Sequence, residues 1–175
     1  MIGTYDRADG GFVEYPVPTV NAEPDGITAG PGDGNLWFTE ENRNKIGAVA
    51  TDGNVREYPI PTIGAKAQGI TVGPDGALWF TEEIPSRIGR MTTNGMVVEY
   101  PVGNGSNPVH VASDGHAVWF TQSSANAIGR IALDGTVTEY PLPNPGATPA
   151  DIAIGPCGSI WFPEYNAGKI GVLTP

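Results

Sequence analysis

The sequence predicts an all-β chain built from repeats of about 42 residues, each a four-stranded antiparallel unit. Three observations carry this. Trp37, Trp79, Trp119 and Trp161 recur at separations of 42, 40 and 42 residues, and Gly47, Gly89, Gly129 and Gly171 repeat those separations. Glu-Tyr-Pro triplets end at Pro16, Pro59, Pro101 and Pro141. No stretch shows the 3.6-residue apolar period of an amphipathic helix. A period of roughly 40–45 residues with several short strands is that of propeller blades. A β-sandwich, the rival architecture, has no need of copies this regular.

The second repeat shows each element in order. GITVG (69–73) is short and apolar, an inner strand. Pro74, Asp75 and Gly76 supply a tight turn. ALWFTE (77–82) is apolar and aromatic, as a buried second strand requires. A polar loop, EIPSR (83–87), leads to the third strand, IGRMT (88–92). Asn94-Gly95 is a hairpin signal, and MVVEY (96–100) alternates as a half-exposed outer strand should. Pro101 closes it, because proline has no N–H to give to a ladder.

All 175 residues are read as one propeller domain, with repeats at approximately 1–18 (partial), 19–61, 62–103, 104–143 and 144–175 (partial). The N-terminal MIGTYDRADGGFVEYP matches NKIGAVATDGNVREYP with one extra residue before its Asp-Gly turn, so it forms a third-and-fourth-strand hairpin. KIGVLTP at the other end stops after a third strand. Three arrangements follow. The N-terminal outer strand completes the last blade and closes a four-blade ring, the chain is part of a larger ring, or further subunits join its edges as a homo-oligomer.

Composition narrows the partners. Nineteen acidic against nine basic residues give a net charge of −10, which opposes nucleic acid and anionic membrane surfaces. The 25 Gly and 17 Pro fall between apolar runs, as turn punctuation. No apolar run approaches a membrane span, and MIGTYDRADG has no apolar signal-peptide core, so the expected location is cytoplasmic or unknown, with a processed secreted protein as the alternative. Cys157 is the single cysteine and is read as a turn residue where the second unit has Asp75, with no disulfide or cysteine-based zinc site.

The strand order sorts the loops onto two rims. Turns joining strands 1–2 and 3–4 are short and nearly invariant, and form a structural rim. The opposite rim carries the 2–3 loops and the inter-blade connections, which vary, and variable loops on a rigid scaffold are where function concentrates. There the first complete unit offers Glu23, Asp25, Glu40 and Glu41, the second Glu82 and Glu83 with Lys66 and Gln68. The third offers Gln122, Asn107 and His110, and the fourth Asp151 and Glu164. Oxygen ligands gathered this way could hold a hard cation such as Mg²⁺ or Ca²⁺, with Glu23, Asp25, Glu40 and Glu41 the metal candidates. Gln68, Glu82, Glu83 and Gln122 are the substrate-binding candidates. His116 belongs to the structural rim. His110 opens an inner strand and is the only histidine that could face the channel. No Ser-His-Asp, phosphate-loop or HExxH pattern is present.

The recurring phrases, GPDGALWFTE, IGR and EYP-x-P, resemble the streptogramin B lyase (virginiamycin B lyase) family over the whole chain. That resemblance implies a propeller of seven blades in the full enzyme. It also implies elimination, rather than hydrolysis, at the ester of a cyclic depsipeptide antibiotic, with Mg²⁺ at the channel mouth. The family's catalytic histidines lie just before inner strands, with glutamates beside them. In AEPDGI the histidine position holds Asp25 and the nearby glutamate is kept as Glu23. The other units place Gln68, Val109 and Ala150 there. His110 comes one residue late, which on a regular strand turns its side chain to the other face. Asp25, Glu23 and His110 are therefore the catalytic candidates by resemblance. An exposed aspartate with a pKa near ~4 is a weak base at neutral pH, so the resemblance predicts weak or absent lyase activity. The alternative is a non-catalytic propeller that binds a small ligand at the channel mouth or acts as an assembly module.

Overall fold

The computed structural model describes residues 1–5 and 10–175. The strands are β1 (Ile2–Tyr5), β2 (Phe12–Tyr15), β3 (Pro24–Ala29), β4 (Leu36–Glu40), β5 (Lys45–Val49), β6 (Val55–Pro59), β7 (Ala67–Val72), β8 (Leu78–Glu82) and β9 (Arg87–Met91). They continue as β10 (Val97–Pro101), β11 (Pro108–Ser113), β12 (Val118–Gln122), β13 (Ala127–Ile131), β14 (Val137–Pro141), β15 (Ala153–Ile154), β16 (Ile160–Glu164) and β17 (Lys169–Leu173). Apart from two single 3₁₀ turns, Glu41–Arg43 and Pro156–Gly158, the described elements are strands. No described helix is long and apolar enough to cross a membrane.

Three complete blades have the order β3-β4-β5-β6, β7-β8-β9-β10 and β11-β12-β13-β14, and a three-stranded sheet, β15-β16-β17, follows. The fold is the predicted propeller, with repeats where the tryptophan spacing puts them. β2 pairs with β1 rather than with β17. The β1–β2 hairpin instead packs against the first complete blade, where Ile2 meets Phe38 and Val49. The extra residue expected before the Asp-Gly turn falls in residues 6–9, outside the described residues.

Each blade meets the next through one recurring contact. Trp37 packs against Leu78, Phe80 and Met91 of the second blade, Trp79 against Val118, Phe120 and Ile131 of the third, and Trp119 against Ile160 and Phe162 of the fourth. Each of those three indoles is buried and lies beside the tyrosine of its own Glu-Tyr-Pro triplet, at centroid distances of 5.4, 5.7 and 5.6 Å. The phenylalanine after each tryptophan faces the other way and lies on a third-strand glycine. A Cβ on Gly89 would stand 2.2 Å from the Phe80 ring, so the Ile-Gly motif recurs for want of space.

The inner strands carry a bulge in every complete blade, with the register shifting between Pro24 and Ile27, Ala67 and Ile70, and Pro108 and Val111. The bulge frees one N–H from the ladder. Thr39 Oγ1 accepts from Gly26 N at 2.9 Å and donates to Gln68 O of the next blade at 2.6 Å. Thr81 Oγ1 accepts from Gly69 N at 3.0 Å and donates to Val109 O at 2.7 Å. Adjacent inner strands come so close that a Cβ on Gly26 would lie 2.3 Å from Gln68 O. Thr81→Val keeps the shape of the side chain but strands a buried donor and a buried acceptor. It is expected to cost about 2–4 kcal/mol in urea unfolding, since each orphaned group costs roughly 1–3 kcal/mol. A loss under about 0.5 kcal/mol would show that this bridge does not hold the blades together.

Candidate functional site

The rim built by the 2–3 loops and the inter-blade connections has a repeated backbone frame. Glu23, Lys66, Asn107 and Thr148 occupy one repeat position in the left-handed region, with φ of 50°, 49°, 49° and 53°. Each turns its carbonyl toward the following 2–3 loop, accepting from Glu41 N, Glu83 N, Ser123 N and Tyr165 N respectively. The backbone there is structural and the side chain is free to vary.

The second unit gathers its predicted rim residues. Gln68 Nε2 donates to Glu83 Oε2 at 3.3 Å, and Lys66 Nζ lies 3.8 Å from the same oxygen. This half-buried trio offers amide and carboxylate groups suited to peptide hydrogen bonding. The first unit's acids do not gather. Glu23 and Asp25 are exposed, Glu41 sits in the 3₁₀ turn, and Glu40 is fully buried. Among the described residues no three His, Cys, Asp or Glu side chains converge to hold a metal ion. The donor set for Mg²⁺ read from sequence is therefore not assembled by this chain.

Glu40, Glu82 and Gln122 are not rim residues either. They end β4, β8 and β12, and all three are completely buried. Their side chains turn into the blade, toward the glutamate of the outer strand. Gln122 Nε2 donates to Glu139 Oε1 at 2.8 Å. The equivalent Glu40 and Glu82 carboxylates have no hydrogen-bond donor. Their outer-strand neighbours are satisfied from outside: Glu57 by Lys45 Nζ at 2.6 Å and by Thr19, Glu99 by Arg87 at 2.6 Å and by Thr62. Burial, reinforced by the Glu57 charge and opposed by Lys45, pushes Glu40 up to about 7. Burial and the Glu99 charge, opposed by Arg87, push Glu82 up to about 8. Burial alone would raise Glu57 as well, but the bonds from Lys45 and Thr19 outweigh it and hold that carboxyl low. At neutral pH Glu82 is therefore largely protonated, and Glu40 is close to the midpoint of its titration. Sealed from solvent, neither Glu40 nor Glu82 can reach a bound substrate, whatever its basicity.

His110 stands in the third bulge. Its N–H donates to Thr121 Oγ1, and its Nδ1 lies 2.8 Å from Ala150 O of the fourth unit. Ala150 O corresponds to Gln68 O and Val109 O, so the imidazole replaces a threonine hydroxyl as the link to the next unit. A carbonyl only accepts, so Nδ1 carries a proton, and in the neutral tautomer the lone pair lies on Nε2. The expectation that His110 points to the opposite face assumed regular alternation, which the register shift between Pro108 and Val111 breaks. His116 lies on the structural rim, where its N–H caps Asp114. Cys157 is exposed in the turn that replaces Gly-Pro-Asp-Gly.

The sequence matches the virginiamycin B lyase family over residues 1–175. The chain belongs to that family. Among solved structures, a streptogramin B lyase superposes with a TM-score of 0.94 at 42% identity, covering 98% of this chain and 58% of that one. The selenomethionine-substituted virginiamycin B lyase from Staphylococcus aureus gives 0.94 at 41%, covering 99% and 59%. A catalytically inactive histidine-to-alanine variant of the same organism's enzyme, with quinupristin, gives 0.94 at 40%, covering 98% and 59%. This virginiamycin B lyase family member spans about three fifths of the length of those structures. No curated protein matches its sequence. The pairing of His110 with Ala150 could not have been found from the repeat pattern, because it depends on how neighbouring units abut.

Proposed function

We propose that this chain is a streptogramin B lyase-type propeller arc whose variable rim recognises a cyclic depsipeptide, and that ring-opening by this arc alone is weak or absent. One observation carries the reading. The four positions before the inner strands, where the family places its histidines, hold Asp25, Gln68, Val109 and Ala150. A related enzyme is inactive once a histidine is replaced by alanine, and that variant is described with quinupristin. Recognition and turnover are thus separable in the family. Elimination at an ester needs a base for a carbon-bound proton and stabilisation of the departing carboxylate. The described residues of this chain supply one rim group suited to the first task, the Nε2 lone pair of His110, oriented by its Nδ1–H bond to Ala150 O. The described residues do not form a ligand set for a metal ion.

Incubation of quinupristin with the protein at high concentration and added Mg²⁺, followed by mass spectrometry, is expected to leave the ring intact or to linearise it slowly. Any slow turnover is expected to vanish in His110→Ala while quinupristin binding by calorimetry persists. Rapid ring-opening, or residual turnover untouched by His110→Ala, would sink this assignment.

The second reading, an assembly module, is favoured by one face. Trp161 is 43% exposed, with Ile170 and Val172 beside it on the ladder, whereas the equivalent indoles of the three complete blades are covered by a following blade. Sedimentation analysis distinguishes the readings: a concentration-independent monomer excludes assembly through that face.

A further inference from the structure

Glu82 ends β8 immediately before the 2–3 loop that begins with Glu83. Its side chain is completely buried, and neither carboxyl oxygen has a hydrogen-bond donor among the described residues. The charged groups that face it are Glu99 on β10 and Arg87 on β9. Its ladder partner on β7 is Ala67, which carries no charge. Arg87 is already engaged, donating to Glu99 at 2.6 Å and to Thr62 Oγ1 at 2.8 Å. Glu99 also accepts from Thr62 N at 2.9 Å and from Thr62 Oγ1 at 2.8 Å. Two buried acids therefore stand together, and every donor at hand serves one of them.

Two carboxylates cannot bond to each other without a proton, and a buried ionised carboxylate with no donor is costly. A proton on Glu82 relieves both conditions, because the acid then has a donor to offer and Glu99 an acceptor. The third unit has such a donor built in. Gln122 occupies the same place, and its amide donates to Glu139 at 2.8 Å. Burial and the Glu99 charge, opposed by Arg87, push Glu82 up to about 8, so the proton is held through neutral pH.

Loss of that proton falls unequally on the pair. Glu99 is held by Arg87 and twice by Thr62, whereas Glu82 has no side-chain partner among the described residues. Glu82 is therefore the group that moves toward water, and the loop begins at the next residue. Glu83 N donates to Lys66 O at 3.3 Å and Ile84 N to Ala65 O at 3.2 Å, two long bonds that fasten the loop to the connection before β7. The Glu83 carboxylate in turn gathers Gln68 at 3.3 Å and Lys66 at 3.8 Å.

We infer that the buried Glu82–Glu99 pair is a proton-controlled latch on the rim of the second unit. With the proton in place the start of the loop is closed and the Lys66–Gln68–Glu83 trio is assembled; loss of the proton releases both. The latch stands on these contacts and holds whatever ligand the rim takes. Its direction follows from linkage. In an opened loop Glu82 titrates near its ordinary value of 4.5, and in the closed loop near 8. Between those values the open form has released a proton that the closed form keeps. Opening therefore becomes more favourable as pH rises through the window and levels off above it.

The test is amide hydrogen exchange of the whole chain from about pH 5 to pH 9, expressed as protection factors so that the intrinsic pH dependence of exchange is removed. Protection of the Glu83 and Ile84 amides is expected to fall as pH rises, by at most about tenfold per pH unit because one proton is released. It should level off above about pH 8. Glu82→Gln, which reproduces the side chain of the third unit and is expected to fold, should hold that protection constant across the range. The Ser123 and Ser124 amides, which follow Gln122 and donate to Asn107 O and Ser106 O, should show no pH dependence in the parent. Gln122→Glu is expected to confer on Ser123 the pH dependence of Glu83. Protection of Glu83 and Ile84 that ignores pH in the parent, or a dependence that survives Glu82→Gln, would overturn the latch. An equal loss of protection throughout β8 and β9 would mark opening of the whole blade and would overturn it too, as would a Ser123 amide left unchanged by Gln122→Glu.

Discussion

Glu82→Gln is expected to stabilise the protein above pH 8 and to flatten its stability between pH 5 and pH 9. The third unit already contains the product of this substitution. Gln122 occupies the same buried position and donates to Glu139, and the cation that accompanies the pair elsewhere is gone, with Ala127 where the other units have Lys45 and Arg87. The sign follows from proton binding. Glu82 titrates near 8 in the folded chain, against an ordinary value of 4.5. Between those pH values the folded state holds a proton that the unfolded state has released, so stability falls as pH rises through the window. Glu40, pushed up to about 7, contributes in the same direction. The stabilisation is fully present below about pH 4.5 and gone above about pH 8. For Glu82 it is on the order of a few kcal/mol after allowance for residual solvent screening. At pH 9 the Glu82→Gln variant is expected to melt several degrees above the parent, because roughly 2–4 °C accompanies each kcal/mol in a chain of this size. At pH 5 the two should melt together. Equal melting temperatures at pH 9, or a parent that grows more stable from pH 5 to pH 8, would contradict the protonated-acid assignment.

Trp79→Ala and Trp161→Ala should differ by several kcal/mol despite identical chemistry and the same place in the repeat. Trp79 is fully buried, stacks on Tyr100 at 5.7 Å, is bonded to Asp75, and fills the junction between the second and third blades. Truncating such a side chain costs roughly 3–5 kcal/mol through lost transfer energy and the cavity left behind. That is a large share of the ~5–15 kcal/mol typical of a folded domain. A drop in melting temperature on the order of 10 °C is expected. Trp161 has the same sequence context, but its outward face has no following blade, so its loss should cost about 1 kcal/mol or less. Urea unfolding of both variants measures the contrast. Similar losses would mean that the Trp161 face is covered in solution.

The strands, the turns and the tryptophan junctions were legible because every unit restates them, and packing between copies demands the same residue at the same place. The rim was read less well, for two physical reasons. Glu40 and Glu82 follow an apolar strand and precede a polar loop, which makes them look exposed, yet their side chains turn inward toward Glu57 and Glu99. A signal was present: the acid at the end of the second strand and the base at the start of the third vanish together in the third unit, as Gln122 and Ala127. His110 was judged by strict alternation, and the inner-strand bulge suspends alternation at that residue.

The threonine bridges give the arc a sense of direction. Thr39 and Thr81 each accept from their own unit and donate to the unit that follows, so the hydroxyl dipoles run head to tail along the chain. The architecture therefore behaves as a polymer of interchangeable monomers. A duplicated segment of one full period would meet a matching donor behind it and a matching acceptor ahead, whereas a duplication out of phase by a single residue would present the wrong face at both junctions. Growth and loss by whole units, rather than by gradual lengthening of loops, is the evolutionary path that such a polarity leaves open.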